Sequence, residues 1–371
     1  MKQHTSTAFQ CRPLRGAVAV NSRFPRAAQV GFTLVELMVG LAVGLFVALA
    51  AISVFVSTRT LQTVSTADTR MNENARLAFD ILHVDLRSAG FQGCHQTGVD
   101  VVNLLNNSNF LFLSNMSGVY GVHGDGSVFV PSLNAVLAAV VPAPDRNSDV
   151  LSVRVPVEPL SLGLAAPMTI STGTPQVGAN TAGNIFQSGD VALIANCKGA
   201  AMFQVTSADP VGTGALAHAV GGAFGPGNSS LQMGTVFRGD SAVYRVQTRH
   251  YYVAPSVARP GTNSLWRYTF PSAAPRTQEV VAGIDRMVIS YGLGAVAAPG
   301  SVDRYVTADA LTTAQWDDVV AARIQLLTAT VLDGVALSPQ SASFAGGTVV
   351  ATDRRKRTQV TEVVTLRSRV P

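Results

Sequence analysis

Hydrophobic positions fall into distinct regimes along this chain. Residues 32–56 are apolar or small throughout, apart from the carboxylate of Glu36 and a few hydroxyls. At about 1.5 Å per residue, such a helix crosses a bilayer core with length to spare. Beyond it, Leu61, Val64, Met71, Ala75, Ala78 and Leu82 recur at threes, fours or their sums, with Arg59, Asp68, Arg70, Glu73, Arg76 and Asp80 mostly between them. That spacing predicts one amphipathic helix continuing the apolar run over residues 33–89. Gly90 is a natural stop, because glycine accepts the left-handed turn that ends helices. A helix of this length requires a tertiary partner for its second half.

From Phe91 the period changes to two. Segments 150–157, 190–196, 201–206, 242–253, 264–270, 280–291 and 358–367 are β-branched or alternating and bounded by Gly, Pro, Asn or Asp, which predicts strands of a largely antiparallel sheet. Stretches rich in Gly, Pro, Ser and Ala at 172–185, 209–230 and 295–302 read as loops or insertions rather than structural cores. Segment 316–331 reads as a short turn followed by a strand, and no repeat at a fixed period is visible. The expected class is therefore α+β. A long helix occupies 32–90, with its transmembrane part at 32–56, and a β-rich extracytoplasmic globular domain occupies 91–371.

Composition changes this picture little. A hydrophobic share of 47% over 371 residues suffices for a buried core. The low charged share, 13%, beside abundant Gly, Ser, Thr, Ala and Val suits an exported β domain. The basic pI of about 9.4 is not a nucleic-acid signal. Lys2, Arg12, Arg15, Arg23 and Arg26 give +5 within residues 1–31, where no acid occurs, so the total of +5 leaves residues 32–371 at zero. A neutral body has no long-range field for polyanions. The same basic leader places residues 1–31 in the cytoplasm and the large C-terminal part outside it. A Sec signal peptide fits poorly, because the apolar run is long, begins late and lacks a small-x-small site at its end.

The junction Gly31-Phe32-Thr33-Leu34-Val35-Glu36-Leu37 resembles the processing site of type IV prepilins and type II secretion pseudopilins. The resemblance implies that a prepilin peptidase cuts after Gly31 and methylates the new N-terminus at Phe32. The leader is longer than the family usually has. A carboxylate inside a bilayer costs roughly 2.5–3.5 kcal/mol, so Glu36 calls for a partner. The free amine of Phe32 on a neighbouring subunit is the cation that the family reading supplies; snorkelling to the headgroups is the alternative. Gly40 and Gly44 stand four apart, as in close helix packing in lipid, or else add flexibility.

Further motifs narrow the resemblance to PilW-type minor pilins. They are Asn72-Glu73-Asn74-Ala75-Arg76, Asp85-Leu86-Arg87-Ser88-Ala89-Gly90-Phe91 with Gly93-Cys94, Ser148-Asp149-Val150-Leu151-Ser152-Val153-Arg154, and Gly189-Asp190 with Asn196-Cys197. Phe203-Gln204-Val205-Thr206, Tyr251-Tyr252-Val253, Ser264-Leu265-Trp266-Arg267 and Val364-Thr365-Leu366-Arg367 follow in the family's order. The family implies a low-abundance pilin that helps initiate type IV pili, in contact with other major and minor pilins and a tip adhesin. Its settings are twitching motility and cell adhesion.

Of three cysteines, Cys11 lies in the leader, so removing it leaves Cys94 and Cys197 in an oxidising compartment, the arithmetic of a structural disulfide. Metal binding by these thiols with His95 lacks a fourth ligand. No catalytic motif is present, the six histidines are scattered, and no cofactor is implied. Gly124-Asp125-Gly126-Ser127 reads as a turn rather than a calcium loop. The run Asp353-Arg354-Arg355-Lys356-Arg357 reads as a solvated hairpin tip rather than a DNA contact, although some minor pilins bind DNA. Trp266 and Trp316 are expected to anchor a core or an interface. The functional expectation is a non-enzymatic minor pilin. A type II secretion pseudopilin is the rival of the same architecture, and a bitopic inner-membrane protein with a surface-binding β domain is the rival of another class.

Overall fold

The computed structural model describes residues 31–93, 101–106, 118–157, 161–222, 225–270, 276–295 and 298–367. The chain divides into two compact units, one ending at Arg59 and one beginning at Thr60. A single helix, α1 (Leu34–Ser88), supplies the apolar segment and then the first element of the second unit. In the apolar segment every residue is exposed, as expected of a surface made for lipid or other helices. From Ala67 onward one stripe becomes buried: Ala67, Met71, Ala75, Ala78, Phe79, Leu82, Asp85 and Leu86. Leu61, expected on that stripe, is instead exposed, because the buried seat begins only at Ala67. The helix ends as expected, with Gly90 at φ +69°. There its backbone meets Gly118, where a Cβ would stand 2.3 Å from the Gly90 nitrogen.

The rest of the second unit is mainly sheet. Its strands are β1 (Val101–Asn103), β2 (Val119–Gly124), β3 (Phe129–Val130), β4 (Val150–Pro156), β5 (Leu162–Gly163), β6 (Val191–Asn196), β7 (Gly199–Gln204) and β8 (Ala242–Pro255). They continue with β9 (Asn263–Phe270), β10 (Thr277–Ala282), β11 (Ile284–Ala295), β12 (Ala298–Thr307), β13 (Val319–Ala329), β14 (Ser341–Phe344), β15 (Gly347–Val350) and β16 (Arg357–Thr365). Short helical turns, α2 (Ala135–Ala138) and α3 (Pro210–Thr213), sit between them. The larger sheet runs β1-β7-β6-β8-β4-β2-β3, with β5, β9 and β10 added around the long strand β8, and the smaller runs β12-β11-β13-β16. All named strand pairs are antiparallel except β1 with β7.

Odd and even positions of β8 face different cores, and β4, β6 and β7 lack alternation because each is likewise buried on both faces. Tyr251 and Val253 join Phe79, Leu82 and Leu86 of α1 and the inner face of the smaller sheet. Val246, Tyr252 and Ala254 face a second core with Leu137 and Trp266. A strand buried on both faces reads as a continuous apolar run. Burying each of Phe79, Leu82 and Leu86 contributes roughly 1.5–3 kcal/mol. Trp316 lies in the first core against Tyr120 and Tyr291, with ring centroids at 4.6 and 4.7 Å.

Three expectations change. Segment 280–291 is not one strand: Gly283, at φ +79° and too close to the Ala329 carbonyl for a Cβ, breaks it into β10 and β11 and carries the chain from one sheet to the other. Most of 295–302 belongs to β12. Apart from α3, the described residues of 172–185 and 209–230 are irregular, but they are not peripheral. Val177 and Leu216, 2% and 0% exposed, close a third core over β6 and β7 with Phe186, Phe203 and Phe237. Apolar side chains spaced too widely to show a period still bury fully when a loop lies flat on a sheet.

Candidate functional site

The helix start is built by its own sequence. Thr33 caps α1: its Oγ1 accepts the Glu36 amide at 3.3 Å, while Glu36 Oε2 accepts the Thr33 amide and hydroxyl, each at 3.0 Å. This reciprocal pairing satisfies two amides that a helix start otherwise leaves bare. Gly31 and Phe32 therefore precede the cap in a non-helical stretch, with Phe32 86% exposed. The signal for this cap, Thr-x-x-Glu ahead of an apolar run, is local in the sequence. Gly40 and Gly44 lie one turn apart on α1 with nothing within 4 Å of a Cβ built on either.

The second half of α1 is seated on the β domain by polar contacts as well as apolar ones. Lys356 Nζ lies 2.7 Å from Asp68 Oδ2. Asn74 Nδ2 donates to the Ala282 carbonyl at 3.0 Å, at the corner where Gly283 separates β10 from β11. His83 Nε2 lies 2.8 Å from Glu362 Oε2 on β16. Asp85, 2% exposed, accepts from Arg249 Nη1 at 2.6 Å and from Tyr251 Oη at 2.5 Å. Burial and the adjacent Asp85 charge push the Tyr251 hydroxyl well above its ordinary range, so it stays a donor.

Two histidine pairs emerge that the sequence alone does not bring together. Ser152 Oγ and His250 Nδ1 stand 2.7 Å apart, both sealed from solvent, and burial holds the imidazole down at about 3. His123 Nδ1 lies 2.8 Å from Asp149 Oδ1. The hydrogen bond to Asp149 raises His123, against a lowering by burial and with added help from the charges of Asp149, Asp309 and Asp125. Asp149 also accepts Gly124 N at 3.1 Å and, through Oδ2, Ile289 N at 2.7 Å. Its own amide donates to the Met287 carbonyl at 2.8 Å. The Ser148-Asp149 pair thus substitutes for a neighbouring strand along β11 and joins the two sheets.

Segment 353–357 is not a solvated hairpin tip. Arg357 reaches Asp285 at 2.7 Å and Asp353 at 2.6 Å, Arg355 donates to the Gly261 carbonyl, and Lys356 holds Asp68. The run resembles a solvated charge cluster only while its partners, distant in sequence, are unknown. Asp125 Oδ1 accepts Ser127 N and Val128 N at 2.7 and 2.8 Å, which makes Gly124-Asp125-Gly126-Ser127 a turn. Among the described residues no group of His, Cys, Asp and Glu is arranged to hold a metal ion.

Cys197 is exposed at the β6–β7 turn, and Cys94 lies outside the described residues. The residue before Cys94 is well placed: a Cβ on Gly93 would stand 2.5 Å from Ala195 Cβ, and Phe91 meets Tyr244 edge-on at 4.8 Å. Leader residues 1–30, with Cys11, also lie outside the described residues.

Comparison with known proteins gives two family matches. The model of the Type IV Pilus-assembly protein W matches residues 250–368, which span the C-terminal end of β8 through β16 and the whole smaller sheet. The model of the Prokaryotic N-terminal methylation motif matches residues 26–52, which contain Gly31, Phe32, Glu36, Gly40 and Gly44. No curated protein and no solved structure matches the chain.

Proposed function

Since the chain is a PilW-type prepilin, a minor pilin of the type IV pilus, we propose that it is cut after Gly31, methylated at Phe32 and drawn into the pilus through α1. It acts there as a non-enzymatic subunit that helps to start assembly. Its apolar helix and prepilin motif fit a membrane-anchored pilin. In this reading residues 1–31 face the cytoplasm, residues 32–56 span the inner membrane, and the β domain lies in the periplasm before reaching the pilus surface. Its partners are a prepilin peptidase, other major and minor pilins through Gly40 and Gly44, and a tip adhesin.

The observation that carries this reading is the placement of Glu36. It is the sole carboxylate in a wholly exposed apolar segment, three residues from Thr33 and four from the proposed new amine. Both Thr33 contacts use Oε2, leaving Oε1 for the Phe32 amine of a neighbouring subunit. Pairing of that kind offsets the cost of a carboxylate in hydrocarbon. Cys94 and Cys197 form a disulfide after export, tying the helix exit to the β6–β7 turn.

Glu36→Gln and Glu36→Ala separate the charge from the cap, because glutamine keeps an acceptor for Thr33 and loses the charge. Both variants are expected to be cut at Gly31 and to be missing from sheared pili. Normal incorporation of the glutamine variant would show that capping alone suffices, and would overturn the pairing.

A further inference from the structure

No charged side chain occurs anywhere in residues 334–352. Most of this stretch is the hairpin β14–β15, joined by Ala345 and Gly346 at φ +49° and +81°, the mirror-image turn whose twist suits two strands. Among the described residues the hairpin is a sheet by itself, with neither strand paired to any other. On one side Phe344 is buried and Ala345 N donates to Gln359 Oε1 of β16 at 3.2 Å. On the other side β15 is outermost, with Val350 74% exposed and Leu337, near the foot, 94% exposed.

The foot, by contrast, is held by charge. Asp333 Oδ1 accepts Gly334 N and Arg354 N at 2.8 Å each, and Ala336 N donates to the Arg354 carbonyl at 2.8 Å. Lys356 and Arg357 continue the clamp to Asp68, Asp285 and Asp353. The sequence therefore concentrates ion pairs at the base of an arm and excludes every charge from the arm itself. A two-stranded hairpin is marginal in water, and exposed edges are normally guarded by lysine, proline or a bulge. Neither lysine, proline nor a bulge occurs in β15, whose one guard is its length of four residues.

We propose that β15 is a docking edge to which an uncharged edge strand of a neighbouring, different pilin head adds by main-chain hydrogen bonding. Across a two-residue turn, Phe344 and Gly347 exchange bonds, so Thr348 and Val350 turn their amides and carbonyls outward. These groups supply the complementary ladder. The absence of charge selects the partner: a charged side chain laid along β15 would lose water and find no counter-ion on the arm. The inference rests on the pilus-subunit reading, since assembly is what brings a second head to the arm.

The test uses the full-length chain in pilus-assembling cells, with a photoreactive amino acid in place of Val350. The expected product is a crosslink to an uncharged edge strand of another pilin. Thr348→Pro removes an outward amide, and Thr348→Lys, at an exposed side chain, adds a charge without altering the backbone. Both are expected to abolish the crosslink and lower the chain's share of sheared pili, with residues 1–31 still removed. A crosslink retained in both variants, one solely to a second copy, to lipid or to a protein that is not a pilin, or none at all, would overturn the docking edge. If the Thr348 variants enter pili normally while Glu36→Ala does not, the arm proposal falls and the pilin reading stands. Absence of the unaltered chain from pili would sink that reading itself.

Discussion

Asp85 on α1 and Arg249 on β8 form an ion pair at 2.6 Å, 164 positions apart in the chain, with the carboxylate side chain only 3% exposed. The same carboxylate takes the Tyr251 hydroxyl. This locks α1 to the central strand, whose Tyr251 and Val253 share a core with Leu82 and Leu86.

Asp85→Ala is expected to lower the unfolding free energy by about 3–5 kcal/mol, because it strands a largely buried guanidinium without its counter-charge. Urea unfolding of the detergent-solubilised chain measures this. An unchanged midpoint would mean that apolar packing alone seats the helix.

His123 gives a pH signature. Its folded pKa is raised, chiefly by the hydrogen bond to Asp149. Protonation-linked stability is therefore fully present below the unfolded value, about 6.5, and is lost as pH rises through the higher folded value. The urea midpoint of the parent minus that of His123→Gln is expected to be largest near pH 5–6 and to shrink toward pH 9. A difference that grows with pH would contradict the assignment.

How much of this was legible beforehand follows the range of each signal. Met71, Ala75, Ala78 and Leu82 mark α1 because a helix repeats every 3.6 residues and its buried face repeats with it. The break at Gly283 was hidden inside an apolar run, since only the approach of Ala329, 46 positions on, makes that glycine necessary. Thr33 and Glu36 were locally readable as a capping box. Asp149 was not readable, because its partners His123 and Ile289 lie on strands on either side of it in sequence. The cations at 354–357 looked solvated for the same reason: Asp68, Gly261 and Asp285 are far away in sequence.

The cysteines give a count that changes with maturation. With Cys94 and Cys197 joined, the precursor is expected to show one alkylatable thiol, Cys11, and the mature chain none, unless reductant is added. Intact-protein mass after alkylation reads this directly. Two alkylated thiols in the unreduced mature chain would remove the disulfide.

Maturation is the claim on which the function depends. The mass of the mature N-terminal peptide measures it most directly, in cells with and without their prepilin peptidase. The expected result is a chain beginning at Phe32 with a methyl group on its amine, and an uncut chain when the peptidase is missing. A chain that keeps residues 1–31 in the presence of the peptidase, or loses them in its absence, would contradict the account.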